Sequence, residues 1–136
     1  MPIVKELLKS EQDGSLSFGN YELSEKTKLS DFEHAGDLYK VKTFNEITKL
    51  ERNGLFVYES VPGTTVLGFK DTDKGVEFSV EGAGDAQITL GLLENTEYSV
   101  FVNGSSIGKM STNLGGKLNL SVELSANGKA TVRVEK

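Results

Sequence analysis

His34 is the only histidine, and it lies in Asp31-Phe32-Glu33-His34-Ala35-Gly36-Asp37. Three carboxylates beside one imidazole are the donor set for a divalent metal or for acid–base chemistry. The same spacing also fits a solvated loop between two strands. A nucleophilic triad would have to use His34 itself, and there is no Gly-x-Ser-x-Gly elbow. Asp71-Thr72-Asp73-Lys74-Gly75 begins like a calcium loop, but Lys74 precedes the glycine and Gly82 stands where a bidentate glutamate is required. It reads better as a polar turn into the following strand. Two carboxylates for glycoside cleavage exist somewhere among twenty acidic residues. Spacing along a β chain cannot select the pair, so no catalytic residue is assigned. No cofactor or metal is expected. Gly82-Ala83-Gly84 and Gly115-Gly116 do not precede helical patterns, so they read as turn glycines rather than phosphate cradles.

Aromatic residues offer a different chemistry, that of contact. Seven of the eleven, among them Tyr39, Phe56 and Tyr58, precede Pro62. Strict alternation over Leu55-Phe56-Val57-Tyr58 puts Phe56 and Tyr58 on one face and Leu55 and Val57 on the other. Both faces are then apolar. One packs on a core, and the other needs a covering lobe, a second subunit or a ligand. Tyr39, Phe56 and Tyr58 are therefore the expected binding residues.

The elements that would position these groups are short strands. Tyr39, Val41 and Thr43 alternate with Lys40 and Lys42, the pattern of a half-buried strand. Asn53-Gly54 joins two apolar runs and supplies the two positive-φ residues of a type I′ hairpin turn. Asn103-Gly104 and Asn127-Gly128 repeat that signal. Residues 15–23 read as a strand pair or bent strand, and residues 26–33 as a strand or one helical turn. Ile3, Val4, Leu7 and Leu8 fit one face of a short helix started by Pro2, with a short N-terminal strand as the alternative. From Thr64 onward, alternating runs follow one another at Thr64–Phe69, Val76–Val80, Ile88–Leu92, Tyr98–Val102, Ser106–Met110, Leu118–Leu124 and Ala130–Val134. Such spacing predicts an antiparallel β-sandwich. The expected architecture is mainly β. A hairpin-rich lobe spans residues 1–62, a sandwich-like lobe spans 63–136, and Pro62-Gly63 marks the boundary.

Composition narrows the function classes. The chain has 136 residues, no cysteine and no tryptophan, and glycine is 15 of them, above the usual share of about 7%. Disulfide frameworks and thiolate chemistry are excluded. No apolar run reaches the roughly 20 residues of a membrane helix. Met1-Pro2-Ile3-Val4-Lys5-Glu6 lacks the layout of a signal peptide, so the cytoplasm is the expected compartment. A net charge of −5 disfavours nucleic acid and membrane as partners. It also repels acidic glycans at long range.

Residues 28–44, Lys28-Leu29-Ser30-Asp31-Phe32-Glu33-His34-Ala35-Gly36-Asp37-Leu38-Tyr39-Lys40-Val41-Lys42-Thr43-Phe44, together with Asn53-Gly54-Leu55-Phe56-Val57-Tyr58-Glu59-Ser60-Val61-Pro62-Gly63-Thr64, resemble a group of short bacterial proteins that carry the label "endosialidase". Tyr98-Ser99-Val100-Phe101-Val102-Asn103-Gly104 and Gly116–Leu124 resemble small β-sandwich domains appended to polysaccharide-degrading enzymes. These resemblances imply a phage-derived structural role or an accessory, carbohydrate-associated one. The first also implies a carbohydrate-active hydrolase as the alternative, although no endosialidase motif transfers a catalytic residue. The expectation is a non-catalytic binding or assembly module with a protein or glycan partner. Edge strands with alternating apolar residues add self-association into a homo-oligomer.

Overall fold

A computed structural model describes residues 7–124 and 128–136. Thirteen strands follow one another: β1 (Leu8–Ser10), β2 (Leu16–Phe18), β3 (Thr27–His34), β4 (Asp37–Thr43), β5 (Thr48–Arg52), β6 (Leu55–Val61), β7 (Thr65–Thr72), β8 (Gly75–Glu81), β9 (Ala86–Gly91), β10 (Glu97–Val102), β11 (Ser105–Ser111), β12 (Lys117–Val122) and β13 (Lys129–Glu135). They form a seven-stranded sheet in the order β1-β2-β7-β8-β13-β10-β11 and a six-stranded sheet in the order β12-β9-β6-β5-β4-β3. All pairings are antiparallel. The mainly β, sandwich-like fold stands.

The division at Pro62 does not coincide with a break in either sheet. β1 and β2 from the first half pair onto β7 in the seven-stranded sheet, while β9 and β12 from the second half extend the sheet built by β3–β6. One core joins Leu16, Phe18, Leu50 and Tyr58 to Phe69, Phe78, Ile88 and Val132. Local alternation identifies each strand but not its sheet. Of the short helix and the short strand weighed over 3–8, the described residues show the strand. Leu7 has φ 71° and Leu8 opens β1, while the rest of that segment lies outside the described residues. Asn127 lies outside them too.

Turn chemistry sets the hairpins. Asn53 and Gly54 have φ of 53° and 80°, the left-handed pair a type I′ turn needs. Ala35 and Gly36 repeat the geometry, so the loop after His34 is a two-residue turn.

The crossover between the sheets passes through Pro62-Gly63. Gly63 is buried, its amide donates to the Asn45 carbonyl, and a Cβ there would fall on the Phe44 carbonyl oxygen. Backbone, unlike a flexible side chain, cannot yield cheaply. Gly63→Ala is therefore expected to destabilise the protein by about 2–4 kcal/mol, by analogy with overpacked cores. Urea denaturation checks this, and an unchanged midpoint would contradict the close approach.

Candidate basic face of the six-stranded sheet

Two β-bulges decide which side chains face outward. In β5–β6, Arg52 pairs with Leu55 and Glu51 with Phe56, as the Asn-Gly turn dictates, but Leu50 then pairs with Tyr58. Val57 is the extra residue. Without it, Leu50 would oppose Val57, and Tyr58 would face out beside Lys49. With it, both Val57 and Tyr58 turn inward.

Phe56 and Tyr58 therefore do not share a face, and the hairpin does not present two apolar sides. Tyr58 is 0% exposed. Its ring meets Phe18 and Phe78 edge-on at centroid distances of 5.3 and 5.7 Å. Its hydroxyl lies 2.8 Å from Thr64 Oγ1, which is 2.7 Å from Ser60 Oγ. Burial pushes the Tyr58 phenol well above its ordinary pKa. Tyr39 is also in the core, 7% exposed, with its ring edge-on to His34. Of the three expected contact residues, only Phe56 reaches the surface. The Lys117 ammonium lies 4.7 Å from its ring centroid and that of Lys49 6.0 Å.

The second bulge is in β3–β4. His34 pairs with Asp37 and Phe32 with Tyr39, but Leu29 pairs with Val41. The extra residue is accommodated near Asp31, whose φ is 57°. Without the shift, Lys28 would oppose Thr43 and face the core. With it, Leu29 packs against the core and Lys28 stands opposite Lys42 on the outer face.

The result is a row of like charges. Lys28 pairs with Lys42, Lys42 with Lys49, Lys49 with Glu59, Glu59 with Thr89, and Thr89 with Asn119. An adjacent row runs Lys40, Glu51, Phe56. Neighbouring strands are about 4.8 Å apart, so three lysines are carried on adjacent strands at roughly that backbone spacing. Lys28, Lys40, Lys42, Lys49 and Glu51 line a shallow basin of about 150 Å³. Lys49 meets Glu51 at 3.7 Å. Among the described residues, Lys28, Lys40 and Lys42 join no ion pair.

The seven-stranded sheet shows what an ordinary outer face looks like in the same molecule. There the row reads Lys70, Glu77, Arg133, with signs alternating across paired strands. The Arg133 guanidinium stacks 4.3 Å over Phe101. In the cleft of about 350 Å³ on that face, Lys70 meets Asp13 at 3.6 Å, while Arg133 meets Glu135 at 3.8 Å. The groove of about 660 Å³ at one end of the sandwich is similar in this respect. Its Arg52 and Asp71 form a 2.7 Å pair that ties β5 to β7.

No family model matches the chain, and neither a curated protein nor a solved structure does.

The two sequence motifs considered for metal chemistry have structural partners. The His34 Nε2–H donates to the Gly14 carbonyl at 3.1 Å, which leaves Nδ1 to accept from the Ser10 hydroxyl at 2.7 Å. The imidazole thereby pins the β1–β2 hairpin to β3. Asp37 accepts from Asn53 Nδ2 at 2.9 Å. Asp71 belongs to Arg52, and Thr72 Oγ1 accepts from the Lys74 amide at 3.2 Å, making a polar turn. Among the described residues, no three His, Cys, Asp or Glu side chains are grouped to hold a metal.

Lys28, Lys42 and Lys49 were not legible as a set. Lys40 and Lys42 read as outward from alternation, but Lys28 joins them only through the bulge at Asp31.

Proposed function

We propose that this protein is a non-catalytic binding module that captures an anionic polymer across the outer face of its six-stranded sheet. The observation that carries the reading is the row Lys28–Lys42–Lys49. Like charges directly opposite in a sheet are destabilising. A chain of net charge −5 has acidic residues in excess to place there, as it does at Glu77 on the other sheet. Three lysines in register instead raise local positive potential, which a ligand with closely repeated negative charges relieves. The acidic remainder of the surface disfavours general adhesion to anions and confines binding to this face.

The reading predicts a defined salt dependence. Three ammonium groups that neutralise a polyanion give log K falling against log salt with a slope of about −2 to −3. Calorimetric titration with inorganic polyphosphate between low and physiological salt measures it. A slope near zero, or no binding at low salt, would contradict the reading.

A further inference from the structure

Two open sheets leave four edge strands, β1 and β11 on one and β3 and β12 on the other. Folded proteins protect such edges by shortness, by charge or by a bulge. Among the described residues β1 is three residues long. β3 carries the bulge at Asp31 and exposes Lys28 and Glu33 besides. β11 has a register shift against β10, a φ of 107° at Gly108, and Lys109. β12 lacks these devices. It pairs with β9 without a register shift, and after Lys117 no charged residue follows until Glu123. The Leu92 amide donates to the Gly116 carbonyl at 2.7 Å. Alternation therefore turns the backbone of Leu118, Leu120 and Val122 toward β9, and that of Lys117, Asn119, Ser121 and Glu123 outward. At Lys117 the outward groups are already taken: the carbonyl accepts from the Asn113 amide at 3.1 Å, and the amide donates to Asn113 Oδ1 at 3.0 Å. The open stretch of edge is Asn119, Ser121 and Glu123.

We infer that β12 is a homodimerisation edge, pairing antiparallel with β12 of a second copy about a two-fold axis at Ser121. In that register Ser121 opposes Ser121 of the second copy. Asn119 opposes Glu123 on both sides of the axis, and both backbone hydrogen bonds are exchanged at each pair. An axis at Leu120 would instead set Glu123 of the second copy against the Lys117 backbone that Asn113 occupies. The side chains match as well as the backbone. Asn119 Oδ1 accepts from the Thr89 hydroxyl at 2.6 Å, which leaves Nδ2 as the donor to meet a carboxylate. Among the described residues Glu123 joins no ion pair. An unrelated strand would find the backbone groups but not this reciprocal amide–carboxylate pairing. The contact is independent of the lysine row on β3–β5.

Sedimentation velocity over a dilution series at physiological salt tests this. The contact is narrow and polar, so a weak dimer with a Kd on the order of 100 μM is expected. Ser121→Lys sets two ammonium groups opposite each other at the axis and is expected to raise Kd about tenfold or more. Ser121 is exposed and its backbone groups face away from β9, so the variant is expected to keep its melting temperature. Asn119→Asp sets a carboxylate against Glu123 of the second copy, still accepts from Thr89, and is expected to weaken the dimer by a similar factor. Adding Glu123→Asn to it is expected to restore the dimer, because the amide and the carboxylate have then exchanged places. A chain that stays monomeric at about ten times the expected Kd would overturn the inference. So would a dimer that Ser121→Lys leaves unchanged, or an Asn119→Asp loss that Glu123→Asn does not repair. A dimer abolished by Ile107→Lys, and not by Ser121→Lys, would overturn it in favour of the β11 edge.

Discussion

Lys42→Glu is expected to weaken polyphosphate binding by about 10- to 100-fold, because one charge-assisted contact is lost at the centre of the row and a repulsion replaces it. The same substitution is expected to stabilise the protein. Lys42 opposes Lys28 on one side and Lys49 on the other. Both like-charge pairs become opposite-charge pairs, each worth about 0.2–1 kcal/mol in a sheet. At this chain length that raises the melting temperature by about 2–6 °C. Binding and stability thus move in opposite directions, as expected where a site is kept at the expense of the fold. Calorimetric titration and thermal unfolding of the one variant read both. A loss of binding together with a loss of stability would mean that Lys42 supports the sheet instead.

Tyr58→Ala carries the largest expected effect on stability. The side chain is fully buried between Phe18 and Phe78, and its hydroxyl belongs to a buried chain through Thr64 and Ser60. Truncation opens a cavity and costs about 3–5 kcal/mol, as for other buried aromatics. Out of a total of roughly 5–15 kcal/mol, that brings unfolding close to ambient temperature. Tyr58→Phe keeps the packing and removes the hydroxyl, so it is expected to cost only about 1–2 kcal/mol. Guanidinium denaturation of both variants checks the order. A folded Tyr58→Ala protein of unchanged stability would put Tyr58 on the surface, where strict alternation had it.

Most of the secondary structure was legible because it is encoded locally. Tyr39, Val41 and Thr43 alternate with lysines and are buried as alternation requires. Asn53-Gly54 and Asn103-Gly104 make the turns that their conformational preferences predict. What escaped reading is what depends on distant partners or on one inserted residue. Nothing local in Leu16-Ser17-Phe18 says that this strand joins β7 and not β3. Val57 and Asp31 are not glycines, yet each marks a bulge that exchanges inside for outside over the rest of its strand. The first bulge moved Tyr58 from the expected contact surface into the core. The second brought Lys28 out to meet Lys42. Phe56, which lies on the turn side of its bulge, kept the place that alternation assigned it.

Amide chemical-shift mapping during titration with polyphosphate locates the bound polymer. The largest changes are expected at Lys28, Lys42 and Lys49, with the Lys70–Glu77–Arg133 row of the opposite sheet unmoved. Changes centred on that opposite row, or spread evenly over the surface, would contradict binding at the lysine row.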